Sequence, residues 1–236
     1  MPKPRGRKAN RVGLRVAVVV VLVVGLAAGL AYLVLGHGPS SDHQKPIILY
    51  VNQGNGVVNG SGFGTMLGFM SSEGFNTVFF QVYRSGHLLF SPRTLGAFVN
   101  QTHQAGLRIF FALYITNSSQ ALPVSIFGLH QDGVSLDMSA LNSASQLTYL
   151  AELKSHRVGE TAVTTTDMTS ALNPDLLVIE TYGPGLKGYI RSGVVASVGV
   201  FATTSEDDYK SQLQYALQNS DGVMVFDYYG LVKSGY

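Results

Sequence analysis

Gly133-Val134-Ser135-Leu136-Asp137 is a short apolar run closed by a carboxylate, and its pattern recurs along the chain. Working outward from it, residues 47–52, 77–83, 108–114, 161–166, 176–180, 194–201 and 222–227 repeat the pattern, most of them closing on Asn, Tyr, Thr, Asp or Glu. Runs of this length, rich in β-branched and aromatic residues, read as strands. Eight such runs, separated by helix-like or loop segments, predict an α/β chain folded as a compact (β/α)8 TIM-like barrel. In that architecture the C-terminal strand ends form one face, where the active site lies.

The sequence has 236 residues. An eight-fold barrel typically takes about 250, so helices and loops over residues 47–236 are expected to be minimal. Helices are predicted over residues 65–73, 94–105 and 139–157, the last with Ser139 as N-cap and Leu141, Leu147, Leu150 and Leu153 near helical spacing. Asp167 reads as the cap of a short helix stopped by Pro174. Ser205 opens a helix through Asn219, with Glu206, Asp207 and Asp208 in the first turn, where the helix dipole favours them. The chain runs only seven residues past Tyr229, so the usual eighth helix is expected to be missing and one barrel flank uncovered.

Charge is divided unevenly. Of 16 basic residues, six (Lys3, Arg5, Arg7, Lys8, Arg11, Arg15) precede the apolar residues 16–35, while all 14 acids follow it. Twenty uncharged residues span roughly 30 Å as a helix, the thickness of a bilayer core. Basic flanking on one side keeps residues 1–15 in the cytoplasm and sends the rest outside. The expectation is a single-pass plasma-membrane protein, with residues 36–46 as a polar linker. A cleaved signal peptide is the rival reading, and the length of the apolar run favours an anchor. Gly25 and Gly29 form a GxxxG that could pair helices. Partner or dimer contacts are thus expected through this helix or the uncovered flank. Asn59, Asn100 and Asn117 stand in glycosylation sequons.

Beyond residue 42, acids outnumber bases, which excludes a nucleic-acid footprint. There is no Cys and no HxH, HxxxH or HExxH, so neither metal nor cofactor is expected. The glycines at 54, 56, 60, 62 and 64 loosely resemble a dinucleotide loop. The next strand ends in Tyr83-Arg84 instead of a ribose-binding acid, which argues against that reading.

Three strand ends carry carboxylates: Asp137, Glu180 and Asp227. They belong to the fourth, sixth and eighth strands and would face one another across a barrel mouth. Glycosidic cleavage needs two carboxyls with opposed duties, one acid and one nucleophile or base. Each acid alone could equally cap a helix or, for Asp227, pair with Arg84. Tyr50, Tyr83, Tyr114, Tyr182, Tyr228 and Tyr229 cluster at the same ends, with Asn52, Gln81, Arg84 and Thr166 beside them. Aromatic and neutral polar lining suits a carbohydrate better than a phosphorylated ligand.

Residues 74–84 (Gly-Phe-Asn-Thr-Val-Phe-Phe-Gln-Val-Tyr-Arg) resemble the opening of glycoside-hydrolase-like TIM barrels, and 132–137 (Asp-Gly-Val-Ser-Leu-Asp) and 221–230 (Asp-Gly-Val-Met-Val-Phe-Asp-Tyr-Tyr-Gly) resemble their fourth and last strands. The pairing of a fourth-strand Asp with a sixth-strand Glu is similar to spherulin-4 and polygalactosaminidase-like barrels. That resemblance implies Asp137 and Glu180 as the catalytic pair. The chain departs from it in lacking Trp and in having one carboxylate on the fourth strand. The sequence thus points to a membrane-anchored hydrolase of an extracellular glycan. A non-catalytic carbohydrate-binding or cell-envelope component is the alternative, and a barrel enzyme for a small molecule a third.

Overall fold

The computed structural model describes residues 44–52, 62–166, 172–180, 182, 188, 190–201 and 204–234. Residues 16–35, the glycine-rich loop, the Asn59 sequon and the Asp167 cap lie outside them. Among the described residues no helix is long and apolar enough to cross a membrane.

The elements follow in the order β1 (Ile47–Val51), α1 (Gly62–Ser72), β2 (Thr77–Arg84), β3 (His87–Leu88), α2 (Pro92–Gln104), β4 (Arg108–Tyr114), β5 (Gly133–Asp137), α3 (Ser143–Ser155), β6 (Glu160–Thr165), β7 (Leu176–Ile179), β8 (Val195–Gly199), α4 (Glu206–Asn219), β9 (Gly222–Phe226) and α5 (Tyr228–Ser234). All pairings are parallel except the two-residue β3, which folds back on β2. β1 pairs with both β2 and β9, so the sheet closes into an eight-strand barrel.

Strand side chains alternate between two faces. In the barrel, one set points inward and the other meets the helices. Ile48, Tyr50, Phe79, Phe110, Ala112, Ala162, Val178, Val195 and Met224 fill the interior. Leu49, Val78, Phe80, Phe111, Leu136, Val163, Val198 and Val225 form the outer core with α1 to α5. The inner plug needs Gly133. A Cβ there would stand 2.4 Å from the Phe110 ring and 2.4 Å from the Glu160 carbonyl oxygen.

At the N-terminal strand ends, polar side chains stitch neighbouring strands. Asn76 Oδ1 accepts from the Ile47 amide at 2.9 Å. Asp132 Oδ2 accepts from the Ile109 amide at 2.8 Å, Asp175 Oδ2 from Thr161 at 2.7 Å, and Asp221 Oδ2 from Gly193 at 2.9 Å. Each sits one residue before a barrel strand and reaches back to the strand that precedes it, or to its approach. The linker's last residues are held at this end too. Lys45 Nζ donates to the Ser220 carbonyl at 2.8 Å, and the Val223 amide donates to the Pro46 carbonyl at 2.9 Å.

Two expectations about helices need correction. The helix predicted over residues 139–157 begins at Ser143, with Asn142 as its cap; Asn142 Oδ1 accepts from the Ser145 amide at 3.0 Å. Ser139 instead turns its hydroxyl toward Asp137. The eighth helix is present as the two-turn α5, because Asp227 caps it from the last strand. α5 is short, and an apolar groove lined by Ile47, Phe69, Phe75, Leu213, Val225 and Leu231 remains beside it. Elsewhere the caps agree with the sequence. Ser205 caps α4, accepting from the Asp208 amide at 3.1 Å, and Glu206, Asp207 and Asp208 occupy its first turn.

Gly133→Ala is expected to destabilise the fold by about 2–3 kcal/mol through overpacking of the barrel interior. Gly96→Ala, on a helix position with open space around it, is expected to stabilise by about 0.5–1 kcal/mol. Urea unfolding of the two variants reads both signs.

Candidate active site

Period-two alternation decides which predicted residues reach the mouth. Gly133, Ser135 and Asp137 share the inward face of β5, so Asp137 closes that row at the C-terminal end. Register places Tyr114 and Thr164 beside Asp137 on either side, and Thr164 pairs with Val178, two residues before Glu180. Glu180 thus stands on the inward row one step above Val178. The two carboxylates expected on the fourth and sixth strands are brought into electrostatic contact.

Asp137 is 5% exposed. Tyr50, inward on β1, donates its hydroxyl across the barrel to Asp137 Oδ2 at 3.2 Å, and Ser139 Oγ donates to Oδ1 at 3.4 Å. Burial pushes the Asp137 carboxyl up from 3.8 to about 6, against the pull of these hydrogen bonds. Burial, then the charge of Asp137, pushes Glu180 up from 4.5 to about 7, while the Tyr182 hydroxyl pulls it down. That hydroxyl donates to Glu180 Oε1 at 3.1 Å. Tyr50 and Tyr182 are both raised well above ordinary phenols, first by burial and then by the nearby carboxylates. Near neutrality such a pair holds about one proton between two oxygens sets.

The aromatic side of the mouth is built on Gly199. A Cβ there would meet the Phe201 ring at 2.3 Å and the Tyr182 ring at 2.7 Å. The bare backbone lets Tyr182 and Phe201 stand edge to face, with centroids 5.1 Å apart, and both rings are more than a third exposed. Phe226 packs beneath, 5.8 Å from Tyr182 and 5.1 Å from Tyr50. Below the carboxylates the interior turns polar: Gln81, Ser135, Thr164 and Ser197 are fully or almost fully buried. Phe201, Phe226 and Ser197 were not singled out from the sequence, and Ser139 was read only as a helix cap. Their signal was parity, since each falls an even number of residues from an inward position on its own run.

Other candidates are turned elsewhere. Asp227 lies one residue past the end of β9 and is turned to the start of α5. Its Oδ1 accepts from the Gly230 amide at 2.9 Å, which is a helix cap and no part of the carboxylate pair. Its carboxyl is raised, chiefly by burial. The considered partner Arg84 instead lays its guanidinium over the Tyr114 ring at 5.6 Å. Tyr83 follows a register shift in β2 that turns both Val82 and Tyr83 outward. Its hydroxyl donates to the Ala121 carbonyl at 2.7 Å. Tyr228 is buried in the outer core against Phe69. Tyr229 lies on α5 with the Lys233 ammonium 5.6 Å from its ring. Asn52 and Thr166 stand at the C-terminal ends of β1 and β6, Tyr114 closes the inward row of β4, and Gln81 lies inside β2, short of its end. Among the described residues no three His, Asp or Glu side chains come together in a way that could hold a metal ion.

No family model matches the chain, and no curated protein matches it. Solved structures share the barrel. CpGH84B superposes with a TM-score of 0.53 at 7% identity, over 77% of this chain and 44% of that one, so this chain spans less than half its length. A GH20 catalytic module of the pneumococcal exo-β-D-N-acetylglucosaminidase StrH gives 0.50 at 8% identity, over 78% of this chain and 79% of that one. The maltogenic α-amylase AmyB from Thermotoga neapolitana gives 0.50 at 11%, over 78% and 67%. At these identities the likeness shows the fold alone, a TIM barrel.

Both carboxyls bind protons more tightly in the folded chain than in the unfolded one. The folded state therefore holds extra protons between about pH 4 and 7, and stability falls as pH rises through that window. Glu180→Gln is expected to raise the melting temperature at pH 8 and to leave it nearly unchanged at pH 4. Thermal unfolding at the two pH values checks this; an equal shift at both would sink it.

Proposed function

We propose that this barrel hydrolyses O-glycosidic bonds of a glycan outside the cytoplasm. The observation that carries this reading is the pair Asp137 and Glu180 at the mouth, raised to about 6 and about 7 and fenced by the exposed rings of Tyr182 and Phe201. Glu180, with the higher value and the more open position, is the proton donor to the leaving oxygen. Asp137, its oxygens already oriented by Tyr50 and Ser139, is the carboxylate that faces the anomeric centre or its water. Tyr182 and Phe201 offer the apolar face of a sugar ring a surface to pack on. Asn52, Tyr114 and Thr166 supply polar contacts, while Gln81, buried beneath the carboxylates, is too deep to reach the sugar.

Residues 16–35 hold the domain at the plasma membrane, with residues 1–15 inside. Lys45 and Pro46 are fixed at the end of the barrel opposite the carboxylates.

One observation favours a non-catalytic carbohydrate-binding role. Asp137 is almost fully buried and both its oxygens already accept hydroxyls, as a purely structural carboxylate would be held. That reading predicts glycan binding without turnover.

Asp137→Asn and Glu180→Gln are each expected to lower glycan turnover by about 10²–10⁴-fold. If both leave cleavage intact, the assignment is wrong. The active form needs Asp137 ionised and Glu180 protonated, so kcat/KM follows a narrow bell with its maximum between about pH 6 and 7. The full-length chain is expected to stay with the membrane after an alkaline carbonate wash, and protease added to intact cells is expected to cut the domain.

A further inference from the structure

Tyr50 is too deep to touch a substrate. It is 1% exposed, its ring is packed 5.1 Å from Phe226, and it lies on β1, across the barrel from β5. Yet it carries a hydroxyl where the rest of the inner plug around it (Ile48, Phe79, Phe110, Met224) is apolar. A buried phenol normally needs one acceptor, and Tyr50 has found a carboxylate oxygen.

We propose that Tyr50 is a positioning residue whose hydroxyl, donated across the barrel to Asp137 Oδ2, fixes that carboxyl's orientation and biases the pair's shared proton onto Glu180. The proposal rests on the carboxylate-pair reading above and gives the pair a direction. Geometry supports it. Asp137 receives two hydroxyls, from Tyr50 and Ser139, whereas Glu180 receives one, from Tyr182. A hydroxyl donated to a carboxylate stabilises the charged form. Without Tyr50, the deeper carboxyl would be the harder one to ionise, because burial is the largest influence on both. The proton would then move toward Asp137, and the acid would sit on the wrong wall.

The groups facing Asp137 are few. Tyr50 comes from β1, Ser139 from the turn after β5, Tyr114 from the neighbouring position on β4, Thr164 from β6, and Glu180 and Tyr182 from the end of β7. The nearest cation by register, Arg84, is turned onto the Tyr114 ring. No ion pair among the described residues involves either carboxylate. The direction of the pair is therefore set by the Tyr50 hydroxyl together with the Ser139 amide and hydroxyl, and not by a neighbouring positive charge.

The test needs no substrate. The full-length chain, with carboxyl-carbon-labelled Asp and Glu, is titrated by NMR in detergent micelles, and Asp137→Asn and Glu180→Gln identify the two signals. In the native chain Asp137 is expected to titrate below Glu180. In Tyr50→Phe, which keeps the ring against Phe226, the Asp137 midpoint is expected to rise by about one pH unit and the Glu180 midpoint to fall as the order closes or reverses. In Glu180→Gln, Asp137 is expected to titrate close to its native midpoint, because in the native chain it ionises while Glu180 is still protonated. Unchanged midpoints in Tyr50→Phe, or Glu180 titrating first in the native chain, would overturn the proposal. Absence of glycan cleavage would sink the hydrolase reading alone, because the titration reports the pair without turnover.

Discussion

A closed barrel of parallel strands gives every strand residue one of two destinations, the interior or the helix layer. Closure through β1, which pairs with both β2 and β9, removes any edge where the alternation could relax. The apolar plug, the polar layer above it and the carboxylate pair at the mouth are all consequences of this constraint. The local exceptions follow the same logic. The register shift in β2 turns Tyr83 outward, and Gly133 and Gly199 make room where inward or rim rings need the backbone itself.

The barrel uses the same residue type in opposite ways at its two ends. At the N-terminal end Asp132, Asp175 and Asp221 accept backbone amides from neighbouring strands. Asp175 is held below the ordinary carboxyl range, mainly by Thr161. Asp175 therefore favours the fold when ionised. At the C-terminal end Asp137 and Glu180 are buried close to one another and held above that range. These acids oppose the fold when ionised.

Much of the fold was legible because strand length and closing residues are local properties. All eight barrel strands fall within a residue or two of their predicted bounds, and Ser205 was recognisable as a cap. Less legible were features that depend on what a side chain meets. Ser139 looked like a helix cap, but the nearby Asp137 carboxylate took its hydroxyl and left Asn142 to cap α3. The last helix was unexpected because only a few residues remain after Gly230. Asp227 compensates by capping it, and Gly230 allows α5 to lie on the Val200 carbonyl, where a Cβ would approach to 2.1 Å.

By itself the sequence determined that eight strands form, that their C-terminal ends are polar and aromatic, and that Asp137 and Glu180 are candidates for one pair. These follow from composition and spacing along the chain. Only the tertiary structure decided which polar ends face the mouth. It paired Asp137 with Glu180, turned Asp227 to the start of α5 and sent Tyr83 and Tyr228 to the helix layer. It also joined Tyr50 to Asp137 across 87 residues of sequence. The physical reason is that orientation in a barrel is a property of register and closure, which bring distant strands into phase and which no single run of residues contains.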